Sequence, residues 1–84
     1  MNTTKTPPLS ECVRRSLESY FADLGGAKAH ALHALVISEV EKPLLEKVME
    51  HAAGNQLRAA EILGINRNTL RKKLNAYGIK WADP

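Results

Sequence analysis

Residues 66–73 carry the densest group of charged and hydrogen-bonding side chains in the sequence. Four cations and three neutral polar side chains fall in these eight positions: Asn66, Arg67, Asn68, Thr69, Arg71, Lys72 and Lys73. Arginine can form paired hydrogen bonds with guanine O6 and N7, and asparagine can do the same with adenine. With a turn of about 100° per residue, the side opposite Leu70 and Leu74 carries Asn68, Arg71, Lys72 and Asn75. Arg67 and Thr69 lie on its flanks. The segment predicts a helix whose outer face suits the DNA major groove, with a solvated basic face that contacts nothing as the alternative.

A second, shorter helix is predicted immediately before this one. Asn55 can cap its first turn, and Gly64 can end it in the left-handed conformation that glycine tolerates. Asn66 can then cap the basic helix, which places Arg67 at the N-terminal end that reaches base edges in such motifs. The apolar side of the first helix is formed by Ala59, Ala60, Ile62 and Leu63. Two caps, a turn glycine and facing apolar stripes predict a helix-turn-helix over about 56–75, within a segment 54–78.

The residues upstream predict two longer helices that position the motif. Apolar residues recur at helical spacing over about 9–24 and again over about 29–52, and Pro43 predicts a bend in the second helix. The second apolar stripe is too wide for the first helix to cover, so residues 9–53 predict the core of a homodimer. Residues 1–8 are predicted to be a disordered lead and residues 79–84 a short tail. The fold class predicted is all-α.

Charge is distributed unevenly along the 84 residues, a length that supports one domain. The formal net charge is +3, and residues 54–84 hold six Lys/Arg against two Asp/Glu. This asymmetry indicates a polyanion as partner of the C-terminal segment.

Other classes of site find little support in the sequence. His30, His33 and His51 lack a complementary set of metal ligands, so no metal or cofactor is expected. Cys12, the single cysteine, is expected to be a buried hydrophobic residue, and the carboxylates of the second helix, including Glu41, an exposed side. No catalytic constellation is present, so no enzyme is expected. With a polar N-terminus and no apolar run of membrane-spanning length, a cytoplasmic protein without a membrane partner is expected.

The motif residues closely resemble the Fis family, the factors for inversion stimulation. The matching segments are Gly54-Asn55-Gln56, Arg58-Ala59-Ala60, Gly64-Ile65-Asn66-Arg67, Thr69-Leu70-Arg71-Lys72-Lys73-Leu74 and Tyr77-Gly78. Upstream, 39–45 looks like the proline-bent dimer helix of the same family. The resemblance covers about residues 9–79 and implies a nucleoid-associated homodimer with four helices per subunit, in which the first two helices intertwine.

This resemblance also implies a set of DNA contacts. The positions carried over are Asn55, Gln56, Arg58, Asn66, Arg67, Thr69, Arg71, Lys72 and Lys73. Among them Asn66 and Arg67 match base-reading residues, and Lys72 matches a residue near base edges and phosphates. Asn55, Thr69, Arg71 and Lys73 match contacts to the DNA backbone. In that family the paired recognition helices lie closer together than successive major grooves of straight DNA, so binding bends the duplex.

Departures from the family pattern lead to further expectations. Leu57 stands where a small hydroxyl residue is frequent, and Asn75 and Ala76 stand where lysines are common. Fewer cations there predict a shallower dependence of affinity on salt. Only eight residues precede the first helix, too few for the β-hairpin arm that contacts recombinases, so stimulation of recombination is not expected.

Two alternatives to a free-standing DNA-bending regulator stay open. A similar helix-turn-helix serves as the DNA-binding module of bacterial enhancer-binding activators. A helical dimer could also act as a protein-interaction adaptor without contacting DNA. The regulatory interpretation adds RNA polymerase as a candidate partner, beside double-stranded DNA and a second copy of the chain.

Overall fold

The computed structural model describes residues 8–81. All regular secondary structure in that range is helical: α1 (Leu9–Leu24), α2 (Leu32–His51), α3 (Gln56–Leu63) and α4 (Arg67–Ala76). The prediction of an all-α fold with four helices is therefore confirmed. The predicted lead at 1–8 and tail at 79–84 lie in part outside the described residues. No helix within residues 8–81 is both long enough and apolar enough to cross a membrane.

Contacts within the chain define two units, the first ending at Leu32 and the second beginning at His33. The first unit consists of α1 and the residues that follow it. Pro8 precedes the helix with an extended ψ of 152°, and Gly25 ends it in the left-handed region at φ 56°. Glu11 bridges to Arg14 and Arg15 one turn later at 3.5 and 3.3 Å. No residue of α1 is fully buried, and its apolar residues are partly buried or exposed.

The expectation that Cys12 is a buried hydrophobic residue is wrong. It is exposed on α1 and not buried. Leu9 and Phe21 of the same helix are also exposed, by 64% and 51%, whereas Val13 and Leu17 are partly buried. An apolar stripe predicts burial only where a partner surface covers it, and no residue of α1 is fully buried.

All of α2 except its first residue, Leu32, belongs to the second unit. The helix starts three residues later than the predicted 29. Ala31 adopts a left-handed φ of 55°, a conformation that an α-helix cannot contain. Pro43 lies inside the helix and leaves the carbonyl of Glu39 without its usual amide donor. The bend at Pro43 stays a prediction. Leu45 and Met49, on the turns that follow, are fully buried.

The core of the second unit joins the second half of α2 to the two short helices. Seven apolar residues are buried in it: Leu45, Met49, Ala52, Ala59, Ala60, Leu70 and Leu74. Val48, Leu63 and Ile65 are partly buried against this cluster. The C-terminal half of α2 thus serves as the platform on which α3 and α4 are held.

Candidate nucleic-acid interface

The turn between α3 and α4 is built by local hydrogen bonds. The Asn55 side chain accepts a hydrogen bond from the Arg58 amide at 3.1 Å, which caps α3. Gly64 closes the helix at φ 74°, and the Ile65 amide donates to the Ala60 carbonyl at 3.1 Å. The Asn66 side chain accepts from the Asn68 amide at 2.7 Å and starts α4. Both predicted asparagine caps and the turn glycine are confirmed. They could be predicted because each depends only on residues within a few positions.

Small side chains allow α3 and α4 to pack closely. Ala59 and Ala60 on α3 are buried, as are Leu70 and Leu74 on α4. Ile62 does not belong to this contact, since it is 47% exposed, and its assignment to the apolar side of α3 is corrected. Burial of Leu70 and Leu74 fixes the rotation of α4, so the opposite side of the helix faces outward.

The outward side of α4 carries the predicted DNA contacts. Seven residues of this helix are exposed, and five of them lie in its first six positions: Arg67, Asn68, Thr69, Arg71 and Lys72. Arg67 is the first residue of α4, and Asn66, also exposed, precedes it as the cap. Asn55 and Arg58, at the start of α3, are exposed, whereas Gln56 is partly buried. Seven of the nine predicted contact residues are therefore exposed, and Gln56 and Lys73 are partly buried.

Lys73 points towards α2 instead. Its ammonium Nζ lies 2.9 Å from Oε2 of Glu41, and its side chain is only 36% exposed. The Tyr77 hydroxyl donates a hydrogen bond to the other oxygen of Glu41 at 2.7 Å. One carboxylate of α2 thus binds the last turn of α4 and the residue that follows it. The expectation that Glu41 belongs to an exposed helix side is wrong, since its side chain is 22% exposed.

These contacts shift the titration of both acids. The hydrogen bond from Lys73 is the main cause that lowers the pKa of Glu41 from 4.5, and the bond from Tyr77 adds to it. The hydrogen bond to the same carboxylate is the main cause that raises the pKa of Tyr77 from 10.0, and burial and the negative charge of Glu41 add to it. The contacts of Glu41 with Lys73 and Tyr77 are therefore strongest at pH values between the pKa of Glu41 and the pKa of Tyr77. Sequence reasoning missed it because Glu41 and Tyr77 are separated by 36 positions.

Comparison with known proteins adds two kinds of finding. Residues 36–77 match a family model described as "Bacterial regulatory protein, Fis family". The chain is 53% identical over 72 residues to "DNA-binding protein Fis" of Proteus mirabilis (strain HI4320), which covers 86% of this chain and 74% of that protein. It is 56% identical over 72 residues to the protein of that name in Actinobacillus succinogenes, covering 86% of this chain and 73% of that protein.

Proposed function

Because the chain belongs to the Fis family of bacterial regulatory proteins, we propose that it binds double-stranded DNA and regulates transcription without catalysing a reaction. The observation that carries the proposal is the exposed cationic face of α4. Leu70 and Leu74 hold that face outward, and two asparagine caps fix the turn that precedes it. Its relatives are named as DNA-binding proteins, which supports the same partner here.

The proposed docking places the N-terminal half of α4 in the major groove. Asn66 and Arg67 then read base edges, since both are exposed at the end of the helix that enters the groove first. Lys72 contacts bases or phosphates, and Thr69 and Arg71 contact the backbone. At the start of α3, backbone contacts come from Asn55, Gln56 and Arg58.

Lys73 is proposed to differ from the other cations. A phosphate can reach its ammonium only in competition with Glu41, which already lies 2.9 Å from it. Lys73 therefore contributes first to the orientation of α4. It contacts the DNA backbone only where a phosphate displaces that carboxylate.

A homodimer is the proposed active form. Exposed apolar side chains support it on both long helices: Leu9 and Phe21 on α1, and Leu35, Ile37 and Leu44 on α2. A second copy of the chain presents the same apolar surfaces, so α1 and α2 of two subunits can cover one another and intertwine. Two recognition helices then enter successive major grooves and bend the duplex. Sedimentation equilibrium tests this, and a monomer at micromolar concentration would contradict it.

The place of action that follows from this proposal is the bacterial nucleoid, in the cytoplasm. RNA polymerase stays a candidate partner on the strength of the family resemblance. A pull-down with purified polymerase, with and without promoter DNA, tests that contact separately from DNA binding.

Fluorescence anisotropy across a salt series tests the central proposal. A duplex with an A/T centre and flanking G and C is compared with a random duplex. The logarithm of the binding constant is expected to fall with log salt by roughly 0.9 per phosphate contacted. Arg67→Ala is expected to abolish a sequence preference of about 1–3 kcal/mol. Arg14→Ala, which removes an exposed arginine of α1 outside the motif, is the matched control.

A combined substitution separates the regulator from the adaptor. Replacing Arg67, Arg71 and Lys72 together should abolish DNA binding and leave the dimer intact, because all three are exposed. Absence of duplex binding by the unmodified protein at low salt refutes the proposal and favours the adaptor.

A further inference from the structure

A cleft of about 430 Å³ runs along the side of α4 that carries the two arginines. Cationic, amide and aromatic side chains line it: Gln56, Arg67, Arg71, Asn75, Lys80 and Trp81. Arg67, Arg71 and Asn75 follow one another at intervals of four residues, so they form a single row along the helix. The cleft therefore lies between the start of α3, this row and the segment after α4.

The segment after α4 is held in place by backbone hydrogen bonds. Gly78 adopts a left-handed φ of 68°, and its amide donates to the Asn75 carbonyl at 3.1 Å. The Ile79 amide donates to the Leu74 carbonyl at 2.9 Å, and the Ile79 side chain packs against the core. Lys80 and Trp81 directly follow this anchored residue. Trp81 is 37% exposed.

The chemistry of the lining favours a phosphate group. Three cations contribute to it, and its lining residues in the described part of the chain include no carboxylate. Arginine and lysine bind phosphate oxygens, and amide side chains and the indole N–H can donate further hydrogen bonds. A single phosphodiester is small enough for the volume, and its negative charge offsets part of the positive charge of the three cations.

We propose that this cleft binds a phosphodiester of the DNA backbone beside α4, with Lys80 and Trp81 as DNA contacts outside the helix-turn-helix motif. The proposal rests on the proposed function, because the row containing Arg67 and Arg71 must face the duplex. It assigns to the tail a share of the affinity and no part in reading the bases. The opposite role, a tail that covers the arginine row and hinders binding, predicts the opposite sign for removal of Trp81.

Trp81 is the single tryptophan of the chain, which makes its fluorescence a direct probe of the cleft. Titration of the full-length protein with the A/T-centred duplex is expected to change the emission and to lower the acrylamide quenching constant. Free inorganic phosphate at the same ionic strength, as a comparison, is expected to leave both almost unchanged. Binding measured by anisotropy without any change in Trp81 quenching overturns the assignment of Trp81.

Lys80→Gln tests the charge. Loss of one phosphate contact is expected to reduce the salt slope by about 0.9 per subunit, which corresponds to about 3.5-fold per subunit between 50 and 200 mM salt. Lys47→Gln is the matched control, because Lys47 is an exposed lysine of α2, paired with Glu50. Circular dichroism verifies that both variants retain the helical content of the unmodified protein.

The outcomes separate the two proposals. A salt slope that Lys80→Gln leaves unchanged, with duplex binding intact, overturns the cleft and leaves the DNA-binding regulator standing. Tighter binding by Trp81→Ala also overturns the cleft, because it shows a tail that hinders DNA. Absence of duplex binding by the unmodified protein overturns both. A reduced slope for Lys80→Gln together with weaker binding by Trp81→Ala supports the site.

Discussion

Replacing Glu41 by glutamine removes the charge that ties α2 to the end of the recognition helix. Two unit charges at the observed 2.9 Å attract by about 1.4 kcal/mol in water. Ordering the half-exposed lysine chain offsets part of this, so a net contribution of about 0.5–1 kcal/mol is expected. The amide oxygen of glutamine can still accept from Tyr77, so the substitution isolates the ion pair with Lys73.

The sign of the pH dependence follows from the lowered pKa of Glu41. The hydrogen bond from Lys73 is its main cause, followed by that from Tyr77. A carboxylate with a lowered folded-state pKa contributes stability above its ordinary value of 4.5 and loses that contribution as the pH falls through the folded-state pKa. The difference between the unmodified protein and Glu41→Gln should therefore be present at pH 7 and vanish in acid. Above the raised pKa of Tyr77, ionisation of the phenol should weaken the link again.

Urea unfolding followed by circular dichroism, at one fixed protein concentration, measures this difference. Glu46→Gln, an exposed carboxylate on the same helix, is the matched control and should change little. A double-mutant cycle with Lys73→Gln should give a coupling free energy between the two residues of about 0.5–1 kcal/mol as well. Equal stability of Glu41→Gln and the unmodified protein at pH 7 would refute the reasoning. A loss of stability in Glu41→Gln that persists unchanged in acid would show that the substitution acts through packing and not through charge.

Two further substitutions test the motif itself. Leu70→Ala should lower the free energy of unfolding by about 2–5 kcal/mol, because Leu70 is fully buried; Leu57→Ala, at an exposed leucine, is the control, and an equal loss at both sites in urea titrations would contradict it. Gly64→Ala should cost about 1–2 kcal/mol from its φ of 74° alone, since a Cβ there meets no atom within 4 Å. A much larger loss in thermal unfolding would reveal a steric clash instead.

Much of the helix-turn-helix could be predicted because its determinants are local. The caps at Asn55 and Asn66 act on amides two or three residues away, and Gly64 acts on the turn that contains it. The burial of Leu70 and Leu74 follows from their helical spacing. Spacing alone also predicted burial for Ile62, which is exposed. A periodic pattern predicts which residues share one face of a helix, but the partner surface decides how much of that face is buried.

What the sequence by itself determined is the order of the helices, the turn between the last two and the position of the cations along α4. These depend on capping, periodicity and charge, which act over a few residues. Only the tertiary structure decided that Glu41 takes Lys73 out of the exposed cationic face, and that Lys80 and Trp81 return to the arginine row. Glu41 meets Tyr77 across 36 positions, and no local preference encodes a contact at such a separation. It arises because the buried core sets the rotation of α4 against α2.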